Sequence, residues 1–405
     1  MRVSSTDRIV QNKLVKTSFI NFSTCVFSVI LTIFITSIFN SNRRLAISLL
    51  VVGITVVTAL FVYGILRASR IRYIAFVSAG TKGITFYDRY FELLVKEAAI
   101  QSRHSKYKYV IFPWIAESGK AKQQVDSLKK INHSAIILIP DPEIDFEEDL
   151  KGHRNRPVIL ADALPENVSS LGEGIESIGG DENLGGQLAS QAAIKHLMKT
   201  YFSEGTKNSE RPLVWILVGR EFPFMKNQRH EIFEKEIRKQ YPAAIIYKSE
   251  QLEFSREKAR RHTYDAISSI RRSSRLNNTQ INNTQINNKQ TKLPDIIFCA
   301  NDDMALGCRE ALRQLGEEKV DTKLNNSEEF PQIIGYDGIE EAKSILRKND
   351  EKYLLATVDV GIEKIAKNTW QLLMGHLEGV KKTVNHEPIL INKNWAVPQT
   401  IFIEE

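Results

Sequence analysis

Two polar residues of this chain stand where apolar runs end, and both carry groups able to hold a small polar molecule. Asn301 follows the run Asp295–Ala300, DIIFCA. Its amide offers both a donor and an acceptor, and at the start of the following stretch it is placed to cap a helix. The plain alternative is a cap that touches no ligand. Asp337 follows the run 332–336, QIIGY, and precedes Gly338, which permits a sharp turn. Its carboxylate can accept two hydroxyls, or it is an ordinary turn aspartate. No constellation for covalent chemistry accompanies them. His104, His133, His153, His196, His230, His262, His376 and His386 are scattered through presumed helices and loops. There is no nucleophile–histidine spacing and no phosphate-cradling Gly-x-x-x-x-Gly-Lys-Ser/Thr loop. Cys25, Cys299 and Cys308 form neither a metal-ligand spacing nor a disulfide framework. The sequence therefore argues against an enzyme and calls for no metal and no cofactor.

The elements that must position these residues are short β-branched runs: 71–77, 108–112, 134–139, 157–161, 213–219, 243–247, 295–300, 332–336 and 353–358. Stretches of helical length separate most of them. Continuous apolar runs of this length mean strands buried on both faces, as in parallel sheets, and strand–helix alternation gives right-handed βαβ units. Ligands of such sheets sit outside the carboxyl ends of the strands, which is where Asn301 and Asp337 stand. Nine strands are many for one sheet, and the soluble part exceeds the usual size of one core. Two lobes with an intervening cleft are expected.

The N-terminal part is of another kind. Ser18–Phe39 and Leu45–Leu66 each lack any charged residue. A hydrocarbon core about 30 Å thick needs roughly 20 helical residues, so each is long enough to span. The five residues between them make a hairpin turn, which satisfies all backbone groups within the helices. The expected organisation is a tail over 1–17, two transmembrane helices over 18–66, and one α/β domain over 71–405. The net charge of +7 is partly membrane-flanking: ten Lys or Arg lie between Arg2 and Lys82. No helix-turn-helix or zinc-ligand spacing supports a nucleic-acid partner. Residues 276–291 include NNTQINNTQINN, a polar repeat without the apolar content to order itself, and are expected as a surface insertion.

Four stretches, in order, carry a resemblance to a known family. They are Gly180–Ala189 (GDENLGGQLA), Asp295–Gly316 (DIIFCANDDMALGCREALRQLG), Ile333–Leu346 (IIGYDGIEEAKSIL) and Leu354–Asp359 (LLATVD). Together they resemble the type I periplasmic binding proteins, the ribose/galactose-binding group that shares its fold with lac-repressor-type effector domains. The resemblance implies a two-lobed α/β fold with lobe 1 at about 71–179 and 360–388 and lobe 2 at about 180–359 and 389–405. It implies hinges near Asp181 and Asp359. It also implies a ligand site containing Phe86, Tyr87, Asp162, Asn227, Asn301 and Asp337, with the two aromatics placed to sandwich a sugar ring.

The chain departs from the family pattern in places. The family's cleft arginine falls on Asn227, with Arg229 nearby; Val360, Ala163 and Ile84 stand where polar residues are usual. A buried hydroxyl left without a partner costs about 1–3 kcal/mol, so the ligand differs from a simple monosaccharide or binding is lost. The resemblance thus implies a membrane-tethered solute-binding protein or receptor that captures a carbohydrate-like solute for ABC-type uptake or signalling. Its partners would be membrane lipid and permease subunits or a signalling protein. The alternative is a tethered sensor or interaction subunit that no longer binds sugar. A lac-repressor-type regulator would need a DNA-binding headpiece where the apolar hairpin stands. The resemblance places the domain outside the cytoplasm, whereas the Lys and Arg count favours the cytoplasmic side.

Overall fold

The computed structural model describes residues 51–60, 62–64, 70–79, 83–116, 120–153, 155–162, 174–201, 211–223, 225, 228–279, 292–317, 330–347 and 352–378. The chain forms two compact units, Met1–Tyr73 with Ala99–Pro113, and Ile74–Ala98 with Trp114–Glu405. The cleft discussed below lies within the second.

The first sheet comprises β1 (Ile71–Ala79), β2 (Lys108–Ala116), β3 (Ala135–Leu138), β4 (Val158–Ala161) and β5 (Ile175–Ile178), in the order β2-β1-β3-β4-β5. Its helices are α1 (Thr85–His104), α2 (Ala121–Leu128) and the short α3 (Phe146–Asp149). The second sheet comprises β6 (Leu213–Leu217), β7 (Ile245–Lys248), β8 (Ile296–Cys299), β9 (Gln332–Asp337) and β10 (Leu354–Asp359). Its order is β10-β9-β8-β6-β7. The remaining helices are α4 (Glu182–Tyr201), α5 (Arg229–Gln240), α6 (Arg256–Thr279), α7 (Asp302–Glu317), α8 (Glu340–Leu346) and α9 (Ile362–Glu378). The recorded pairings are parallel. Both sheets therefore repeat one winding. The order reverses between β1 and β3 and again between β6 and β8, and each reversal opens a crevice at the carboxyl ends of the strands.

The apolar runs form strands because both of their faces are covered. Every residue of β3, β4, β6 and β8 is buried. Sequence periodicity anticipates nine strands; ten are present among the described residues. The additional one is β5, IESI, at the edge of its sheet, with only its two isoleucines buried. An edge strand leaves positions open to solvent, so its polar centre hides it from a search for continuous apolar runs. The helix α6 also runs to Thr279, past the expected start of the polar insertion at 276. Residues 280–291 of that insertion lie outside the described residues.

The expected membrane hairpin also falls largely outside them. Residues 18–39 are not described, and of 45–66 only 51–60 and 62–64 are, all helical. Among the described residues no helix is long and apolar enough to cross a membrane. Several side chains of the short helical stretch, Val51, Val52, Ile54 and Val62 among them, are exposed.

Helix α4 reaches the second sheet through small residues, with Gly185, Gly186, Ala189 and Ala193 buried. A Cβ on Gly185 would come within 1.8 Å of the Tyr336 hydroxyl. Tyr336 is fully buried in β9 and lacks room to retreat. Gly185→Ala is expected to destabilise by about 1–3 kcal/mol through overpacking, read as a lowered urea midpoint with an unchanged slope.

Candidate functional site

The crevices of the two sheets open into a pocket of about 570 Å³, counted to its open mouth. Ile84, Phe86 and Tyr87 reach it from the turn after β1 and the first turn of α1, and Asp162 from the end of β4. From the second sheet come Phe222 after β6, Asn301 after β8 and Asp337 at the end of β9; Glu182 and Arg229 open helices α4 and α5. Every group thus sits at a strand end or a helix start, where the winding leaves side chains free of the sheet.

Arg229 is the hub. Its Nε donates to Glu182 Oε2 at 2.7 Å and one Nη to Glu182 Oε1, while the other Nη donates to Asp337 Oδ1 and to the Ala300 carbonyl, each at 3.1 Å. The guanidinium also lies 3.9 Å from the Tyr336 ring centroid. The helix start that aims it is set by Glu231, whose carboxylate accepts the Gln228 N–H at 3.1 Å. The Arg229 side chain is 14% exposed, and those of Glu182 and Asp337 are 12% and 10% exposed. Removing one partner of such a buried pair costs far more than breaking a surface ion pair, because the remaining charge would be buried without compensation.

The two remaining carboxylates share an uncommon backbone. Asp162 has φ 65° and Asp337 φ 103°, in the region that L side chains rarely adopt. Tyr87 Oη donates to Asp162 Oδ2 at 2.8 Å. Burial pushes the Asp162 carboxyl up to about 6, against the lowering pull of Arg229 and of the Tyr87 hydrogen bond. Burial likewise raises Asp337 well above the usual carboxylate range, with Asp302 and Asp162 adding to it and Arg229 opposing it. Asn301 Oδ1 accepts the Met304 N–H at 2.9 Å, so the amide caps α7; its Nδ2 faces the Phe254 carbonyl at 3.4 Å. Asn301 thus caps a helix and also lines the pocket.

Beneath the pocket, Asp302 ties three elements. It accepts from Thr357 Oγ1 at 2.6 Å and from the Ile339 N–H at 2.8 Å, and it is fully buried. Burial lifts its carboxyl to about 7. Asp162 and Asp302 hold protons in the fold that they release in the unfolded chain, where carboxyls titrate near 4. The native state then binds more protons between about pH 4 and pH 7, and stability falls as pH rises through that window. Buried His133, His153 and His230 and partly buried His262, shifted down by burial, act in the opposite sense, so the carboxyl contribution is read as a difference: relative to Asp302→Asn, the parent is expected to lose urea midpoint between pH 5 and pH 8.

Two sets of bonds run from the first sheet's elements to the second's. Thr85, at the start of α1, gives its N–H to Asp303 Oδ2 at 2.7 Å and its hydroxyl to Asp303 Oδ1 at 2.9 Å. Arg220, after β6, reaches the buried Asp141, after β3, at 3.0 Å. These bonds join elements of the two sheets across the cleft.

Of the residues expected at the site, Phe86, Tyr87, Asp162, Asn301 and Asp337 all line this one pocket. Phe86 is buried, T-shaped to Tyr87 and stacked on Tyr90. Asn227 and Ala163 lie outside the described residues; Arg229 supplies the cleft arginine from the start of α5. Ile84 does line the pocket, whereas Val360 is buried away from it. Asp181 caps α4 by accepting the Asn183 and Leu184 N–H groups. Asp359 accepts the Gly361 N–H and pairs with Lys343. Sequence reasoning passed over Glu182, Thr85, Asp303, Phe222 and Phe254. The only sequence signal for Glu182 is an acid in the first turn of a helix, which reads equally as dipole compensation. Among the described residues no group of histidines, cysteines and acids is arranged to hold a metal. Cys299 and Cys308 are buried free thiols.

Two parallel-sheet lobes with a polar pocket at their strand ends define the fold of the type I periplasmic sugar-binding proteins, and solved structures of that class match this chain. One is an ABC transporter periplasmic solute-binding protein from Actinobacillus succinogenes 130z with bound D-allose, at 18% identity and a TM-score of 0.53, covering 76% of this chain and 92% of that one. Another is the periplasmic component of the arabinose ABC transporter from Shewanella sp. ANA-3, bound to L-arabinofuranose, at 18% identity and a TM-score of 0.55, covering 76% and 87%. A third is an ABC transporter solute-binding protein from Bacillus halodurans C-125 with bound myo-inositol, at 16% identity and a TM-score of 0.54, covering 76% and 89%. No protein-family model and no curated protein sequence matches the chain.

Proposed function

We propose that this chain is a membrane-tethered solute-binding protein that closes its two lobes on a small, carbohydrate-like ligand, for uptake through an ABC-type permease or for signalling. The observation that carries the reading is the meeting of Asp162 from one lobe with Asn301, Asp337 and Arg229 from the other, over the aromatic rings of Phe86 and Tyr87. Polar groups from both lobes in one pocket make ligand binding and lobe closure a single event. Hinges near Asp181 and Asp359 carry the motion. The two uncharged N-terminal segments anchor the domain, and it faces the cell exterior; a reporter fused after Glu405 and active only in the cytoplasm would overturn that placement.

A second reading, a tethered sensor or interaction subunit without a sugar ligand, is favoured by one observation. The Arg229 donors are already engaged by Glu182, Asp337 and Ala300. A thermal-shift screen of the full-length protein in mild detergent, against sugars, polyols, nucleosides and amino sugars, decides between the two. A ligand at a hundred times its dissociation constant stabilises by about 2.7 kcal/mol, a shift of a few degrees. Loss of that shift in both Asp337→Ala and Asn301→Ala supports solute binding at this pocket. A folded protein with no hit across the panel favours the interaction subunit.

A further inference from the structure

We propose that the pocket selects a solute bearing a protonated primary amine, an amino sugar being the simplest form, over the neutral hydroxyl analogue. The inference rests on the solute-binding reading above and names the class of solute. It follows from which hydrogen-bonding groups the protein has already used. Arg229 turns Nε and both Nη atoms onto Glu182, Asp337 and Ala300. Arg220 is engaged by Asp141. The Tyr87 hydroxyl donates to Asp162, and the Asn301 amide lies between the Met304 N–H and the Phe254 carbonyl. The Nε and Nη atoms of Arg229, one Nη of Arg220 and the Tyr87 hydroxyl are thus turned onto protein acceptors. Among the described residues these bonds engage one oxygen of Asp162 and one of Asp337, leaving the second oxygen of each as an acceptor.

A sugar hydroxyl asks its site for donors as well as acceptors, whereas an ammonium carries three donors and no acceptor. The charges agree with that count. Glu182 and Asp337 share the single charge of Arg229, and Asp141 is balanced by Arg220, leaving one carboxylate of the Arg229 group and Asp162 in excess. The groups facing these two carboxyls are Tyr87 on α1, Glu182 on α4, Arg229 on α5, and Asp302 and Asp303 on α7. His230 also lines the pocket, and burial keeps its ring toward the neutral form. Arg229 is the cation that faces both carboxyls, and Glu182 and Asp337 share it. Phe86, Phe222 and Phe254 line the same space, and aromatic faces attract an ammonium within about 6 Å.

Burial, with the Glu182 carboxylate adding to it, pushes the Asp162 carboxyl up to about 6. An entering ammonium favours the ionised form and displaces protons, so affinity for amines climbs with pH through that range. A neutral sugar produces no such climb.

The test is titration calorimetry of the full-length protein in mild detergent at pH 5.5 and 7.0. The probes are matched pairs: D-glucosamine with D-glucose, D-galactosamine with D-galactose, and further amino and neutral sugars in the same pairing. The expected result is binding of at least one amine about tenfold or more tighter than its partner at pH 7.0. The preference narrows at pH 5.5, with proton release visible as a buffer-dependent heat. Glu182→Gln, which frees Arg229, is expected to cut the preference below about threefold. Neutral sugars binding as tightly as their amines, or tighter, overturn amine selection and leave the solute-binding reading standing. No binding in either class sinks both.

Discussion

Arg229→Ala is expected to cost about 3–5 kcal/mol of stability and to abolish ligand binding. Removing the guanidinium leaves Glu182 and Asp337, each roughly nine-tenths buried, without a counter-charge. It also uncovers the Tyr336 face on which the guanidinium lies. For a domain of this size a loss of 1 kcal/mol lowers the melting temperature by roughly 1–2 °C, so the drop should be about 4–8 °C. Arg229→Ala combined with Glu182→Gln and Asp337→Asn recovers a large part of it, because the cost lies in uncompensated carboxylates rather than in lost packing. Thermal denaturation of the single and triple variants reads this directly. A single variant as stable as the parent would show that the cluster is not held as a charged unit.

Asp303→Ala should open the cleft. Its carboxylate accepts both the N–H and the hydroxyl of Thr85, and hydrogen bonds to a charged group contribute about 1.5–3 kcal/mol each. Loss of the pair moves the closed-to-open ratio by one to several powers of ten. The partner left behind is not stranded: Arg256, which also contacts Asp303, keeps Glu341 and Glu310. Destabilisation should therefore be small while the shape changes. Small-angle scattering is expected to report a larger radius of gyration for Asp303→Ala without ligand, contracting when a ligand binds. An unchanged radius would mean that the Arg220–Asp141 bond and the hinge hold the lobes together without Thr85.

The two predictions differ in how visible their residues are in the sequence. The strands are legible because burial on both faces forces unbroken apolar runs; β3, β4, β6 and β8 have no exposed residue to interrupt the pattern. The edge strand β5 escapes for the converse reason, its Glu176 and Ser177 being less covered than its isoleucines. Asp162, Asn301 and Asp337 are also legible, because parallel winding brings the residue after each strand to the same end of its sheet. Asn227 lies outside the described residues; the arginine that lines the pocket at the start of α5 is Arg229, two positions further on, and register across a loop is not set by local pattern.

Residue order alone determines the alternation of strand and helix, the polar residues at strand ends, and hence a two-lobed fold with a pocket between the lobes. Periodicity and strand-end position are local properties, written into neighbouring residues. Which charges that pocket spends on itself is decided only in three dimensions. Arg229 and Glu182 stand 47 positions apart, Arg229 and Asp337 stand 108 apart, and Thr85 and Asp303 stand 218 apart. No local pattern couples such pairs. Folding does, by excluding water from the groups together, so that each carboxylate must find a cation, keep a proton, or wait for a ligand to supply the charge.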